Sequence, residues 1–160
     1  MQRANAILSH PIYIANIEKN SSSEKNWRYC KHDIVHFMDV ARIAYILNLE
    51  DNLGFPKELI YAAALLHDIT KWKQISENIP HNESAIEPAT KIMQDCGFSH
   101  GEISLVCAAI LNHRTEPPAD DKFSNIIFKA DKLSRACCFC SYDKETCNWD
   151  SEKKNAGLLY

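Results

Sequence analysis

The chain has 160 residues, 46% of them hydrophobic and 24% charged, which is typical of one globular domain and excludes a mainly disordered chain. It contains only four glycines and six prolines, too few turn-forming residues for a β-sandwich or a β-barrel. The net charge of −3 at pH 7 gives no electrostatic reason to expect nucleic acid on the surface at large.

Apolar residues along most of the chain recur with the spacing of α-helices. The predicted helices cover, in order, about residues 5–19, 30–49, 56–67, 82–95, 99–113 and 123–138. Polar loops are predicted at residues 21–26 and 115–121. Two local signals support the helix boundaries. Gly97 suits the end of one helix, and Ser99 with Glu102 forms a capping-box sequence at the start of the next.

These elements predict an all-α fold, a single helical domain of residues 1–160 with a short irregular, cysteine-rich tail at residues 136–160. No segment has the pattern of a signal peptide. The longest apolar run covers only residues 60–66, whereas a membrane span needs roughly 20 residues. We therefore expect a cytoplasmic protein that does not bind membranes. Its seven cysteines are then expected to be reduced, because thiols stay reduced in that compartment.

Histidine and aspartate occur on or at the ends of the apolar faces of four predicted helices. They are His36, His67, Asp68, His113 and Asp131. Each has a plainer interpretation when taken alone. A histidine on an apolar face is more often a hydrogen-bonded core residue, and Asp131 could pair with Lys132 or Arg135. Their coincidence favours a common bound metal, because a buried carboxylate needs a cation or several donors and because imidazole and carboxylate are metal ligands.

The same segments resemble the HD superfamily of metal-dependent phosphohydrolases, all-helical enzymes named for an adjacent His-Asp pair. The matching segments lie in the family's order within about residues 30–135 and read HFMDVARIA, AALLHDITK, HNESAIEPA, AAILNH and KADKLSR. By this resemblance the core metal ligands are His36, His67, Asp68 and Asp131. The further histidines that match members with two metals are His81 and His113. His81 alone could also be an exposed loop residue.

The chain is most similar to the bacterial HD hydrolases that split diadenosine tetraphosphate symmetrically. Those proteins share a lysine three residues after the His-Asp pair, matched by Lys71, and an A-I-x-x-H segment that ends here at His113. Two features depart from that subfamily. Residues 85–86 read Ala-Ile where Gly-Ala is usual, and the segment after Asp131 does not follow the usual ending.

The resemblance implies a binuclear site in which Asp68 bridges two divalent cations about 3.5 to 4 Å apart. The first cation is assigned to His36, His67 and Asp131, and the second to His81 and His113. A metal-activated hydroxide then attacks phosphorus in line. The resemblance favours iron, while the ligand types also suit manganese, cobalt, nickel or zinc.

Three further residues are candidates for substrate contact. Lys71, one turn past Asp68, is expected to neutralise phosphate charge during catalysis, although it could be a solvated cation at a helix end. Arg135 could bind phosphate or pair with a neighbouring carboxylate. His32 could compete with His36 as a ligand by spacing alone, but the family's His-x-x-x-Val-Ala pattern selects His36. His32 is then a substrate contact, a residue supporting the ligands or a surface histidine.

The tail contains a cluster of four cysteines within eleven residues: Cys137, Cys138, Cys140 and Cys147. The C-x-x-C spacing of Cys137 and Cys140 can bind zinc or form a redox pair. Cys147 and the distant Cys30 could complete a zinc site, although nothing in the spacing requires it. The plainer interpretation is a set of reduced thiols. Tyr142 and Trp149 are expected to hold the tail to the core or to line a nucleotide pocket.

The leading functional prediction is a metal-dependent phosphohydrolase acting on a nucleotide or a dinucleoside polyphosphate. The alternatives are a nucleoside monophosphate phosphatase with one metal and a non-catalytic nucleotide or metal sensor. The expected partner is a small phosphorylated substrate, and a homodimer is left open. Substrate specificity is expected to come from loops at residues 72–80 and 115–122.

Overall fold

The computed structural model describes residues 1–27, 30–140, 147, 155, 157 and 160. Within these ranges the regular structure is entirely helical, which confirms the predicted all-α class. The elements are α1 (Gln2–Leu8), α2 (Pro11–Ser23), α3 (Ile34–Glu50), α4 (Lys57–Leu66), α5 (Lys71–Ser76), α6 (His81–Ser84), α7 (Ile86–Asp95), α8 (His100–Asn112), α9 (Lys122–Leu133) and a 3-10 turn at Cys137–Phe139. No helix in the described part of the chain is both long and apolar enough to cross a membrane.

Helix α3 lies at the centre of the bundle, where it packs against α4 and α9. Helix α8 packs against α4, α7 and α9, while α2 lies against α5 and α7. The largest fully buried apolar side chains come from α1, α3, α4, α7, α8 and α9 and from the segment after α4: Ile7, Phe37, Ile60, Leu65, Leu66, Ile69, Ile92, Met93, Ile110, Phe123 and Ile127. Burying each such side chain stabilises the fold by about 1.5–3 kcal/mol.

Helix α3 begins at Ile34, four residues later than predicted. The carboxylate of Asp33 accepts hydrogen bonds from the backbone N–H groups of Val35 (3.0 Å) and His36 (3.1 Å). This N-cap satisfies donors that the helix itself cannot satisfy and so fixes its start. The cap also sets the rotation of His36, which lies in the first turn.

The helix predicted at residues 82–95 is divided into α6 and α7. Pro88 explains the division, because it has no N–H to donate to the carbonyl oxygen of Ser84 four residues earlier. The short helix α5 lies in a segment predicted as a loop. It is held by α2, since the indole N–H of Trp72 donates to Asn16 (2.8 Å) and its backbone N–H donates to Asn20 (2.9 Å).

Two other helix ends differ from the prediction, while a loop and two capping signals agree with it. Helix α2 continues to Ser23, into the predicted polar loop, and α9 ends at Leu133 rather than near residue 138. The loop at residues 115–121 is confirmed, since it joins α8 to α9. Gly97 has a φ of +79°, a conformation that glycine adopts at low cost, and the capping box of Ser99 and Glu102 is formed.

Candidate metal centre

The six predicted metal ligands meet in the interior of the bundle. Helix α3 carries His36, His67 and Asp68 directly follow α4, α6 begins with His81, His113 directly follows α8, and α9 carries Asp131. None of these six side chains is more than 6% exposed. Three helices and the ends of two others therefore bring imidazole and carboxylate groups to one buried place.

The carboxylate of Asp68 lies between two pairs of imidazoles. Its Oδ1 is 2.9 Å from Nε2 of His81 and 3.3 Å from Nε2 of His113. Its Oδ2 is 3.3 Å from Nε2 of His67 and 3.9 Å from Nε2 of His36. The two oxygens of one carboxylate thus face two different sets of nitrogen donors.

The donor atoms form two sets, each within 4.8 Å, that could hold a metal ion. The first comprises His36, His67, Asp68 and Asp131, and the second comprises Asp68, His81 and His113. Asp68 belongs to both sets. The two sets contain the residues that the family resemblance assigns to the two cations.

The two carboxylate oxygens of Asp131 have different partners. Oδ1 faces the imidazoles of the centre, and Oδ2 is bound by a lysine of the same helix. Its Oδ1 is 3.3 Å from Nε2 of His36 and 3.8 Å from Nε2 of His67. Its Oδ2 accepts a hydrogen bond from Nζ of Lys132 at 2.5 Å, and the same ammonium donates to the carbonyl oxygen of His113 at 2.9 Å. Lys132 therefore fixes the carboxylate so that Oδ1 points inward.

Each imidazole of the centre is oriented through its Nδ1 atom. His67 Nδ1 donates to the carbonyl oxygen of Ala64 (2.8 Å) and His113 Nδ1 donates to that of Ile110 (2.5 Å). A carbonyl oxygen can only accept, so the proton of each neutral ring is on Nδ1. In the neutral form of each ring the lone pair on Nε2 then faces the interior of the centre, as second-shell hydrogen bonds arrange it in metal sites.

The rings of His36 and His81 are also oriented through Nδ1, but by side chains instead of backbone carbonyl groups. The hydroxyl of Ser134 donates to the carbonyl oxygen of Asp131 (2.8 Å) and lies 3.1 Å from Nδ1 of His36. Since a hydroxyl has one proton, Ser134 accepts from His36 Nδ1. In the same way Nδ1 of His81 donates to the amide oxygen of Gln74. These four rings all present Nε2 to the interior.

The buried polar atoms of the centre are suited to bind cations. Buried atoms without a hydrogen-bond partner include His67 Nε2, Asp68 Oδ1 and Asp131 Oδ1. Burial acts to raise the pKa of both aspartates, but histidines around Asp68 and Lys132 beside Asp131 hold both pKa values well below their usual range. Two buried carboxylates with unsatisfied oxygens fit divalent cations, which would satisfy these atoms directly.

Two histidines of the centre stay neutral at ordinary pH. Burial, helped by the nearby guanidinium of Arg135, lowers the pKa of His36 to about 3. Burial likewise lowers the pKa of His81 to about 4. For His67 burial has the same sense, but the charges and hydrogen bonds of Asp68 and Asp131 together outweigh it and raise the pKa to about 9. Neutral imidazole is the form that binds metal.

Lys71, the first residue of α5, lies beside the second set of donors. Its charge contributes to the low pKa of His81, for which burial is the main cause. Within the described residues its ammonium makes no hydrogen bond or ion pair. The structure therefore places a cation at the centre that is available to an anionic ligand.

Arg135 is buried and contacts the first set of donors. Its Nη2 donates to Nε2 of His36 at 3.1 Å and lies 3.6 Å from Oδ1 of Asp131, while Nη1 donates to the carbonyl oxygen of Lys31 at 3.3 Å. Here Arg135 pairs with a carboxylate, the structural alternative that the sequence left open. A cation bound by His36 has to replace this guanidinium at Nε2.

His32 faces the same centre from the segment before α3. It is 9% exposed, so its interpretation as a surface histidine is wrong. Its Nε2 is 3.6 Å from Oδ2 of Asp68, and its Nδ1 contacts the buried carboxylate of Glu24. The backbone N–H of His32 donates to the same carboxylate at 2.8 Å.

Several residues that shape the centre were not predicted. Glu24 orients His32, Gln74 orients His81, and Ser134 orients His36. Asn20 supports the His-Asp pair, since its side chain donates to the carbonyl oxygen of Asp68 at 2.9 Å. No local pattern marks these polar residues, because all four contact partners in other segments. Tyr142 and Trp149, predicted to hold the tail or line a pocket, lie outside the described residues.

Fold and site together define an all-helical protein with a buried His-Asp centre suited to divalent metal ions. The sequence model of the HD domain family matches residues 33–136, which are most of the chain and contain all six predicted ligands. The chain therefore belongs to the HD domain family.

The chain is similar to two further proteins. A protein of Clostridium beijerinckii (strain ATCC 51743 / NCIMB 8052), described as an uncharacterized protein, is 42% identical over 160 residues, the full length of both chains. A crystal structure of a predicted HD superfamily hydrolase from an uncultured Thermotogales bacterium is similar with a TM-score of 0.58 and 26% identity. That similarity covers 75% of this chain and 66% of the other, so this chain spans about two thirds of the solved protein.

Proposed function

We propose that the protein is a metal-dependent phosphohydrolase with a binuclear centre, acting on a nucleotide or a dinucleoside polyphosphate. The observation that carries the proposal is the position of Asp68, whose two oxygens face two separate pairs of imidazoles. A single metal needs only one such set. The second set, supplied by His81 and His113, has no evident structural purpose in the core.

The donor types favour iron, manganese, cobalt, nickel or zinc over calcium, and the resemblance to the family favours iron. When bound, such cations lower the pKa of water toward neutrality and withdraw electron density from phosphoryl oxygens. His36, His67 and Asp131 would hold one ion, and His81 and His113 the other, with Asp68 shared between them. The rings need no reorientation for this, because each Nδ1 is already bound.

The chain's own cations would bind the substrate. Lys71 lies beside the second set of donors, where it would neutralise charge that develops on a phosphoryl group. Arg135 and His32 border the first set and would contact the remaining phosphate. This cluster of positive charge in an acidic protein is consistent with a small phosphorylated substrate rather than nucleic acid or a membrane. We place this activity in the cytoplasm.

A phosphate-release screen tests this proposal. The purified full chain is supplied with manganese, iron or cobalt and is offered nucleoside mono-, di- and triphosphates and dinucleoside polyphosphates. We expect symmetrical cleavage of a dinucleoside polyphosphate and no activity for Asp68→Asn. Nucleotide binding without turnover in every combination would favour a sensor instead, and it would contradict the proposal.

The number of metals is tested separately with His113→Ala, which removes only a ligand of the second set. We expect metal content to fall from about two equivalents to about one and hydrolysis to be lost. The matched control is His100→Ala, an exposed histidine on the same helix, which should change neither. Full activity on nucleoside monophosphates with one metal remaining would favour the mononuclear phosphatase.

A further inference from the structure

Two cysteines lie on the tight turn that directly follows α9. Cys137 and Cys140 are joined by the 3-10 turn Cys137–Phe139, in which the backbone N–H of Cys140 donates to the carbonyl oxygen of Cys137 at 3.3 Å. The C-x-x-C spacing on such a turn allows both thiols to reach one ion, and this spacing is typical of structural zinc sites.

The segment before α3 lies against this turn. Arg135, two residues before Cys137, donates to the carbonyl oxygen of Lys31 at 3.3 Å. Lys31 is the neighbour of Cys30. A contact between residues 104 positions apart therefore brings Cys30 close to the C-x-x-C turn, which its place in the sequence does not suggest.

Three other cysteines influence the pKa of Cys30. Burial raises the pKa of Cys30, and Cys137, Cys140 and Cys147 raise it further, while Arg135 acts in the opposite sense. All four cysteines are free thiols.

We propose that Cys30, Cys137, Cys140 and Cys147 bind one structural zinc ion. Four cysteine thiolates in tetrahedral arrangement form a closed site that leaves no position for substrate. Cys137, Cys140 and Cys147 of the tail supply three ligands, and Cys30 supplies the fourth from a distant segment. This site is separate from the His-Asp centre and shares no ligand with it, so it does not depend on the proposed phosphohydrolase activity.

Zinc binding would draw these sulfur atoms together. Within the described residues, the sets of three or more donor atoms within 4.8 Å of one another are those of the His-Asp centre, and no three of the four thiols form such a set. The ion would supply the bonds that fix the turn after α9 to the segment before α3.

The position of the zinc site gives it a role for the neighbouring centre. Cys30 lies two residues before His32, and Cys137 lies two residues after Arg135. The side chains of His32 and Arg135 both contact the first set of metal donors, and both residues lie outside the helices. A zinc ion between their segments would hold both at fixed distances from Asp68.

Cobalt substitution of the full chain tests the proposal. Cobalt bound by thiolates shows sulfur-to-metal charge-transfer absorption, which the His-Asp centre cannot produce because it contains no sulfur ligand. We expect this absorption in the wild-type chain at about one cobalt per chain, with loss of the absorption when zinc is added. Absence of any thiolate absorption in the folded wild-type protein would overturn the proposal, and this result needs no variant.

Single substitutions then identify the ligands. Cys140→Ser and Cys147→Ser should lose the charge-transfer absorption and about one equivalent of zinc. Cys138→Ser is the matched control and should keep both. Equal loss in Cys138→Ser, or a purified protein containing iron and sulfide in place of zinc, would contradict the assignment.

Discussion

The imidazoles of the centre are oriented before any ion arrives. His67 and His113 are bound through Nδ1 to carbonyl oxygens of their own helices, three residues earlier in each case. His36 and His81 are bound through Nδ1 to side chains. Fixed donors lose little conformational freedom on binding a ligand, so this arrangement favours high metal affinity.

Lys132 gives a test of this orientation at the scale of one residue. Lys132→Met removes the donor to Oδ2 of Asp131, so the carboxylate can rotate and its Oδ1 no longer points only inward. We expect metal affinity to fall by about 10–100-fold, as for other second-shell partners. A competition titration with a chromogenic chelator measures the affinity.

The control for Lys132 is Lys129→Met, which removes an exposed lysine of the same helix. It changes the net charge by the same amount but does not alter the bonds of Asp131. Equal losses of affinity in the two variants would show that overall charge, rather than the orientation of Asp131, sets the affinity.

At the scale of elements, Arg3 joins α1 to two other helices. Its guanidinium donates to Glu58 of α4 (2.8 Å) and to Glu102 of α8 (2.9 and 3.0 Å). Helix α8 leads to His113, and α4 leads to His67 and Asp68. This network therefore links α1 to both helices that end at the centre.

The network predicts a dependence of stability on pH. Hydrogen bonding to Arg3 is the main cause that lowers the pKa of Glu102 from 4.5 to about 2. Because the folded state binds this proton less tightly than the unfolded chain, the contribution is complete above pH 4.5 and is lost as the pH falls toward 2. In Arg3→Met, the free energy of unfolding in urea should fall less steeply with acidification over this interval.

The matched control for Arg3 is Arg42→Met. Arg42 also pairs with a carboxylate, that of Asp39, but both partners are well exposed, with side-chain exposures of 60% and 40%. Exposed pairs contribute little to stability, so this variant should follow the wild-type pH dependence. The interpretation fails if Arg3→Met also follows the wild-type curve.

Local sequence signals predicted the elements that carry the ligands, and non-local contacts decided the rest. The helical spacing of Val40 and Ala44 was enough to place His36 on the inner face of α3. By contrast, α5 exists because Trp72 contacts two asparagines of α2, and no pattern within α5 shows this. Pro88 was a readable signal for the division between α6 and α7 that the helical spacing obscured.

At the scale of the whole molecule, the centre is where the helices meet. The ligands come from α3, α6 and α9 and from the residues that follow α4 and α8. An ion bound there contacts segments spread over residues 36–131. Binding only the folded state stabilises it by mass action.

Metal removal should therefore lower the melting temperature of the chain. At a free metal concentration of 100 times Kd, one bound ion stabilises the folded state by about 2.7 kcal/mol. We expect differential scanning fluorimetry to show a higher midpoint with added manganese than with a chelator. Asp68→Asn should show little or no such difference, and an equal shift in this variant would place the stabilising ion elsewhere.

The guanidinium of Arg135 at Nε2 of His36 has a consequence for the order of assembly. Together with the nearby Lys132, it supplies positive charge beside the buried carboxylate of Asp131. We therefore expect the chain to reach its fold without a bound metal. Metal binding would then be an exchange, in which the ion replaces the guanidinium of Arg135 at His36.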